Sequence, residues 1–456
     1  MTSRTMIQRA LLSLFLFLPA VSARALLASD QTDAGGGSGS EMLPNRDVPS
    51  GVRQAAVQAV SKSSSTADQT PSYLRWMLKP LKHGMFVRLP VIDEDPNRGV
   101  TYGIMPILVL QGKHDDRIEQ IHAPSLNYNK NFGFSPTYRY YYYPQEDAVF
   151  AARGSRSKYE HEGMVDYTDR SFLGTPFDVN GRFQKNRDAG QRFYGIGPDT
   201  QKGAQANYIQ DYWQFSSGAG VPFAEGSAFR AHLSQRYLSS RTLNGPLNGL
   251  PEFDTVFPQQ FSNHSQQTNE SRVTLDYDTR DHAVTTSHGA YLGAYAEASV
   301  RGFISQYDYE RYGTDLRWFL PVPEHPAQVV AFQGRYEQII GQAPPFWLLP
   351  SMGGKYSLRA YGDGRYVDRG TATFNVEDRI KMYEAKTAGV TTEIQVAPFL
   401  GVGEVFDNPE VVAGRYLRPV VGTAIRAVAR PQVVGSVDFG VGREGLSIFT
   451  DINYSF

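Results

Sequence analysis

The stretch SLRAYGDGRY, Ser357 to Tyr366, places Arg359 among small residues and tyrosines. A guanidinium in such a turn has one evident chemistry: its planar fork of N–H donors pairs with a carboxylate or another anion. On spacing alone, Arg359 is an exposed loop arginine with no fixed partner. Other candidates carry less. DYDTRD (276–281) gathers three aspartates around Arg280, which suggests a metal site, yet acidic residues where a strand meets a loop are more often solvated. IDEDPNRG (92–99) lacks the twelve-residue ligand pattern of a calcium loop and reads as a turn. GVGREG (440–445) has the GxGxxG spelling of a dinucleotide loop but leads into a strand, so it reads as a hairpin turn. The histidines form neither HExxH nor a close metal pair, and no Ser/His/Asp constellation supports a barrel-embedded hydrolase. The expectation is a non-enzyme with no catalytic residue, no metal and no cofactor.

The elements that would hold such residues are strands. In LSIFTDINYSF (446–456) the even positions Leu446, Ile448, Thr450, Ile452, Tyr454 and Phe456 oppose Ser447, Asp451, Asn453 and Ser455. Successive strand side chains point to opposite faces, so one face is apolar and the other wet. Val273, Leu275 and Tyr277 alternate in the same way with Thr274, Asp276 and Asp278. In 371–382, Ala372, Phe374, Val376, Ile380 and Met382 oppose Asn375, Glu377 and Arg379, with Asp378 breaking the apolar face. In 433–441, Val437, Phe439 and Val441 oppose Ser436 and Asp438. A soluble sandwich would close within roughly 100–250 residues, whereas this pattern runs from Lys79 to Phe456. With 27 Tyr, 26 Phe and a mean hydropathy of −0.39, the composition suits a barrel whose lipid-facing and lumen-facing residues alternate. The expected fold is all-β: a closed antiparallel transmembrane β-barrel of sixteen strands.

Arg4 and Arg9, the apolar run Leu11 to Leu18, and small residues from Ala20 to Ala25 read as a secretory signal peptide over 1–25. Residues 26–78, with AGGGSGS and SKSSSTADQT, read as a low-complexity linker. The barrel then occupies 79–456. The absence of cysteine excludes a lipoprotein acyl site and structural disulfides. A net charge of −1 gives no pull towards nucleic acid.

Several stretches together resemble the bacterial surface antigen family, the superfamily of outer-membrane assembly insertases and two-partner-secretion transporters. They are RFYGIGPDT (192–200), LDYDTRDHAVTTSHGAYLGAYAEAS (275–299), LLPSMGGKYSLRAYGDGRYVDR (348–369), FNVEDRIKM (374–382) and APFLGVGEVFD (397–407). The Phe-ended last strand adds to them. The resemblance implies an extracellular loop that folds into the lumen, with Arg359, Ala360 and Tyr361 at its tip and Glu377 as its wall partner. Ala360 stands where the family has a glycine, which would strain a tip that needs positive φ. Gly401 stands where a second wall aspartate is expected, and Glu393 and Asp438 are the inward-parity carboxylates that could replace it. Arg359→Ala and Glu377→Ala are expected to cost alike. Ile448, Ile452 and Tyr454 should face lipid. Tyr454 and Phe456 would form a C-terminal assembly signal on a strand that zips to the first. The family also implies a role in inserting or translocating polypeptide or lipid at the bacterial outer membrane, in a member lacking polypeptide-transport-associated (POTRA) domains. The alternative is a passive channel, surface antigen or adhesin on the same scaffold. The expected partners are outer-membrane lipids, the assembly machinery that inserts the barrel itself, and an unidentified periplasmic partner or exported substrate.

Overall fold

The computed structural model describes residues 78–456 apart from 82, 113–117, 146–147, 225, 283–284, 303, 388–389, 412–413, 430–431 and 452–453. The expected signal peptide, the linker up to residue 77, and Ile452 lie outside the described residues. The first seven strands are β1 (Leu78–Leu81), β2 (Gly84–Asp95), β3 (Gly99–Gln111), β4 (Ile118–Asn129), β5 (Gly133–Gln145), β6 (Ala148–Arg156) and β7 (His161–Asp169). Longer strands follow: β8 (Asp178–Phe193), β9 (Ala206–Pro222), β10 (Phe229–Asn244), β11 (Gln266–Asp278), β12 (Gly289–Ser299), β13 (Tyr309–Val322) and β14 (His325–Gly341). The short pair β15 (Ser351–Met352) and β16 (Tyr366–Val367) precedes β17 (Gly370–Thr387), β18 (Val390–Phe406), β19 (Arg418–Ala429), β20 (Gln432–Gly442) and β21 (Gly445–Asp451).

Strands β2 to β14 and β17 to β21 pair antiparallel with their chain neighbours, and β21 returns to β2, closing a barrel of eighteen strands with β1 outside the ring. The expected sixteen is corrected to eighteen. Alternation tells which face each segment buries, but strand number is fixed by tilt and stagger at closure, which no single segment encodes. The β15–β16 pair forms a separate two-stranded sheet.

Burial is inverted relative to a soluble protein. Ile104, Phe134, Leu400 and Leu446 stand outward and are 61–64% exposed, while Arg311, Glu377 and Asp438 are fully buried. An apolar exterior around a polar interior is what a lipid solvent demands. The lumen wall is laced with ion pairs, as in Arg272–Glu297 at 2.5 Å and Arg311–Glu337 at 3.4 Å. The connections differ by end. Segments 194–205, 245–265, 342–369 and 407–417 all leave one rim, and most turns at the other rim are shorter. Longer loops are extracellular in such barrels. No helix of the described residues is long and apolar enough to cross a membrane.

The closing seam departs from the expected zipper. Among the described residues, β21 meets β2 through the pair Glu94–Ile448 alone, whereas β20 and β21 are paired from Ser436–Asp451 to Gly442–Gly445. Continued in register, β21 would bring Ser455 and Phe456 opposite Val87 and Phe86; those edge positions are taken by Leu78 and Lys79 of β1. Tyr454, Ser455 and Phe456 lie inward instead. Tyr454 is buried and donates from its hydroxyl to Gln395 Oε1 at 2.8 Å, so it faces the lumen and not lipid. Phe456 packs against Phe319 and Ala331 of the inner wall.

A charge on the outer face tests this orientation. Leu400→Arg should lower stability by about 2–4 kcal/mol if the position lies near the bilayer midplane. The shift would be read as the urea unfolding midpoint of the barrel in lipid vesicles. An unchanged midpoint would place this face in water.

Candidate functional site

Segment 342–369 leaves the long-loop rim between β14 and β17 and folds down into the barrel. Its first part anchors by apolar packing: Phe346, Trp347, Leu348 and Leu349 join Phe193, Tyr208, Phe253 and Tyr309 in one buried cluster. The Leu348 carbonyl accepts from Arg311 Nη2 at 2.7 Å. The turn then reverses on glycines, with φ of +130° at Gly353, +78° at Gly354 and +65° at Gly364. A Cβ on Gly353 would lie 2.1 Å from the Gly362 carbonyl oxygen. Ala360 is absent from the positive-φ residues, so the strain expected at the tip does not arise; the flanking glycines carry the unusual backbone instead.

At the tip, Arg359 is 1% exposed. Its Nη1 donates to Glu377 Oε2 and to Asp438 Oδ2, both at 2.8 Å, and its guanidinium lies 3.4 Å from the Phe399 ring centroid. Glu377 is the hub. Its Oε1 also accepts from Arg379 Nε at 2.8 Å and Arg426 Nη1 at 2.6 Å, and its Oε2 from Arg426 Nη2 at 2.9 Å. Three guanidiniums thus converge on one buried carboxylate. Asp438 is held further by Ser436 and by the Ser455 hydroxyl at 3.0 Å. Tyr361, 1% exposed, packs with Met352, Leu358, Ala360, Tyr366 and Phe399, and its hydroxyl accepts from the Arg443 backbone N–H at 3.3 Å.

The wall is shaped to admit the loop. A Cβ on Gly440 would lie 1.7 Å from the Arg359 carbonyl oxygen, and one on Gly442 would lie 3.0 Å from Ala360 Cβ. Gly403 faces Met352 Sδ in the same way at 2.6 Å. At Gly401 a Cβ would meet Asn375 Oδ1 at 2.6 Å and Leu358 Cδ2 at 3.4 Å, so an aspartate there would crowd the loop it should bind. The wall is therefore not bare: the second acceptor is Asp438 of β20. Glu393 does not take that role. It is buried and accepts from Gln395 Nε2 at 3.1 Å. It also lies six residues before Phe399, roughly 20 Å along β18 at about 3.3 Å per residue.

Two stretches that read as plain turns hold the loop's far side. Asn97 Nδ2 donates to the Asp363 carbonyl at 2.8 Å, and Arg365 pairs with Glu444 at 2.6 Å. From RFYGIGPDT, the Gly197 N–H donates to the Val367 carbonyl at 2.8 Å and the Thr200 carbonyl accepts from Arg365 Nη2 at 2.9 Å. The aspartates of DYDTRD are engaged elsewhere: Asp278 pairs with Arg280 at 2.8 Å, Asp276 with His232 at 3.0 Å, and Asp281 accepts from the Ser287 N–H at 2.9 Å. Sequence reasoning missed Arg426 and Ser455. Arg426 could have been found by parity, since Val420, Ala424, Arg426 and Val428 all face inward.

The hub breaks the symmetry expected between its partners. Glu377→Ala leaves three buried guanidiniums, of which Arg359 and Arg426 retain Asp438, and should cost about 3–5 kcal/mol. Arg359→Ala leaves Glu377 with Arg379 and Arg426 and should cost about 1.5–3 kcal/mol. Urea unfolding in vesicles measures both, and equal losses would count against a Glu377-centred cluster. Gly440→Val should expel the tip without touching a charge. Trypsin should then cut after Arg359 in folded, vesicle-bound protein, while the unsubstituted protein resists.

Comparison with known proteins bears on the family and the fold. A family model described as the Omp85 superfamily domain matches residues 148–426. No curated protein matches. Among solved structures, the fold is similar to BamA from Haemophilus ducreyi lacking POTRA domains 1–3, with 14% identity and a TM-score of 0.52 over 80% of this chain and 74% of that one. CdiB from Acinetobacter baumannii aligns at 12% identity and a TM-score of 0.44, over 82% of this chain and 60% of that one. CdiB from Escherichia coli aligns at 10% and 0.45, over 82% and 62%. The family match spans more than half of a closed barrel, and the chain belongs to the Omp85 superfamily.

Proposed function

We propose that this outer-membrane barrel inserts or translocates polypeptide or lipid, with the lumen loop as a fixed internal brace and the β2–β21 seam as the part that yields. The observation that carries this reading is a contrast in strength. The loop is tied to the wall by a buried cluster of five charged side chains, Arg359, Glu377, Arg379, Arg426 and Asp438. Among the described residues, the seam is tied by one residue pair. Strand edges with unpaired N–H and C=O groups are templates for another strand, and a wall that opens there would let a substrate segment reach lipid. In this reading the apolar outer face contacts outer-membrane lipids. The exported substrate or periplasmic partner approaches from the short-turn rim, and Arg359, Ala360 and Tyr361 keep the lumen shape constant while the seam moves.

The chain contains no cysteine, so a single engineered disulfide tests the seam without background. Glu94→Cys with Ile448→Cys places two thiols on directly paired residues. The oxidised variant should fail to correct the outer-membrane permeability defect expected of a strain lacking this protein, and reductant should recover complementation. Full complementation by the oxidised form would overturn the proposal in favour of a passive channel or surface antigen.

A further inference from the structure

One region of the outer wall departs from the apolar band around it. Arg156, His161, Arg187, Asp211 and Arg241 are directly paired in sequence across β6 to β10, forming one row on five strands. The row lies beside the turn 157–160 at the long-loop rim. Asp211 accepts from Arg241 Nη2 at 2.8 Å, lies 3.7 Å from Arg187 Nη1, and is bonded by Lys185 Nζ. Three cations share one carboxylate, which leaves an excess of two positive charges. The side chains of Lys185, Arg187 and Arg241 remain 40%, 30% and 44% exposed.

Two residues along the strands, the next outward row is Tyr138, Gly154, Gly163, Lys185 and Trp213. Its glycines differ from those under the lumen loop. A Cβ on Gly154 or Gly163 would meet nothing within 4 Å. They open a groove of about 460 Å³ on the outer face, between Tyr138 and Phe183, with Lys185 at its end. Trp213 lies beside Tyr237, with ring centroids 4.8 Å apart and the rings tilted by 44°, an aromatic pair of the kind that marks a membrane interface.

We infer that this face binds a membrane lipid with a phosphorylated headgroup, the phosphate held by Lys185, Arg187 and Arg241 and one acyl chain laid over Gly154 and Gly163. The excess positive charge selects an anion, and the arginine forks suit phosphate oxygens. The groove selects an amphiphile: a soluble anion would occupy the basic row and leave the apolar trough empty. The site is independent of the lumen loop and of the seam.

The test uses the full-length protein with Trp76 and Trp318 replaced by phenylalanine, so that Trp213 reports on the outer face while Trp347 stays buried in the apolar anchor of the lumen loop, away from lipid. It is reconstituted in phosphatidylcholine vesicles whose minor component is brominated phosphatidylglycerol, or the same fraction of brominated phosphatidylcholine. Each excess cation should enrich the anionic lipid on the order of fivefold, so Trp213 quenching should exceed that given by the zwitterionic lipid. Arg187→Gln with Arg241→Gln should remove the excess, and Gly154→Leu should reduce quenching with every charge intact. Heat-modifiable gel mobility verifies that each variant is folded. Equal quenching by the two lipids, or an excess abolished by inorganic phosphate as a soluble competitor, would overturn the proposal.

Discussion

Glu377 accepts from Arg359, Arg379 and Arg426 where no water reaches, and the position of the lumen loop depends on that convergence. A lone carboxylate or guanidinium buried in this way would cost several kcal/mol in lost hydration. Each charge is tolerable only while the others stay in place, so the cluster is cooperative. β17 supplies Glu377 and Arg379, β19 supplies Arg426, β20 supplies Asp438, and the loop supplies Arg359. One ionic knot therefore fixes the loop against three wall strands. It also reaches the chain beyond β21: Arg379 Nη2 donates to the Phe456 carbonyl oxygen at 2.7 Å and its guanidinium lies 4.0 Å from the Tyr454 ring centroid.

Steric permission matters as much as charge. Gly403, Gly440 and Gly442 leave hollows into which Met352, the Arg359 backbone and Ala360 settle. Without them the arginine would stand off the wall and its donors would miss their acceptors. The same residue type does the opposite work outside, where Gly154 and Gly163 leave a trough that no protein atom fills. A glycine on a barrel wall is thus informative only together with what approaches it.

The seam follows from competition for a strand edge. β2 has one edge facing β21, and β1 occupies part of it by folding back as a tight hairpin. Tyr454, Ser455 and Phe456 then find partners inside the barrel, where Gln395, Asp438 and Arg379 offer hydrogen bonds. Every other pair of neighbouring wall strands shares at least seven paired residues among those described, so this junction is the least paired in the ring.

Period-two alternation, carried on over more residues than a sandwich needs and joined to an aromatic-rich composition, determined that the chain is a barrel with its polar face inward, because lipid and lumen are different solvents and each strand must sort its side chains between them. It also set Glu377, Arg379 and Asp438 on the wet face before any contact was known. Family resemblance, not periodicity, pointed to Arg359 as the residue that meets Glu377. Tertiary structure decided the rest. Strand number comes from closure, so sixteen gave way to eighteen. The choice of Asp438 over Glu393 comes from height along neighbouring strands, a quantity set by register between segments. The inward turn of Ser455 and Phe456 comes from β1 taking their place on β2. Each of these depends on which distant segments lie side by side, and local alternation carries no record of that.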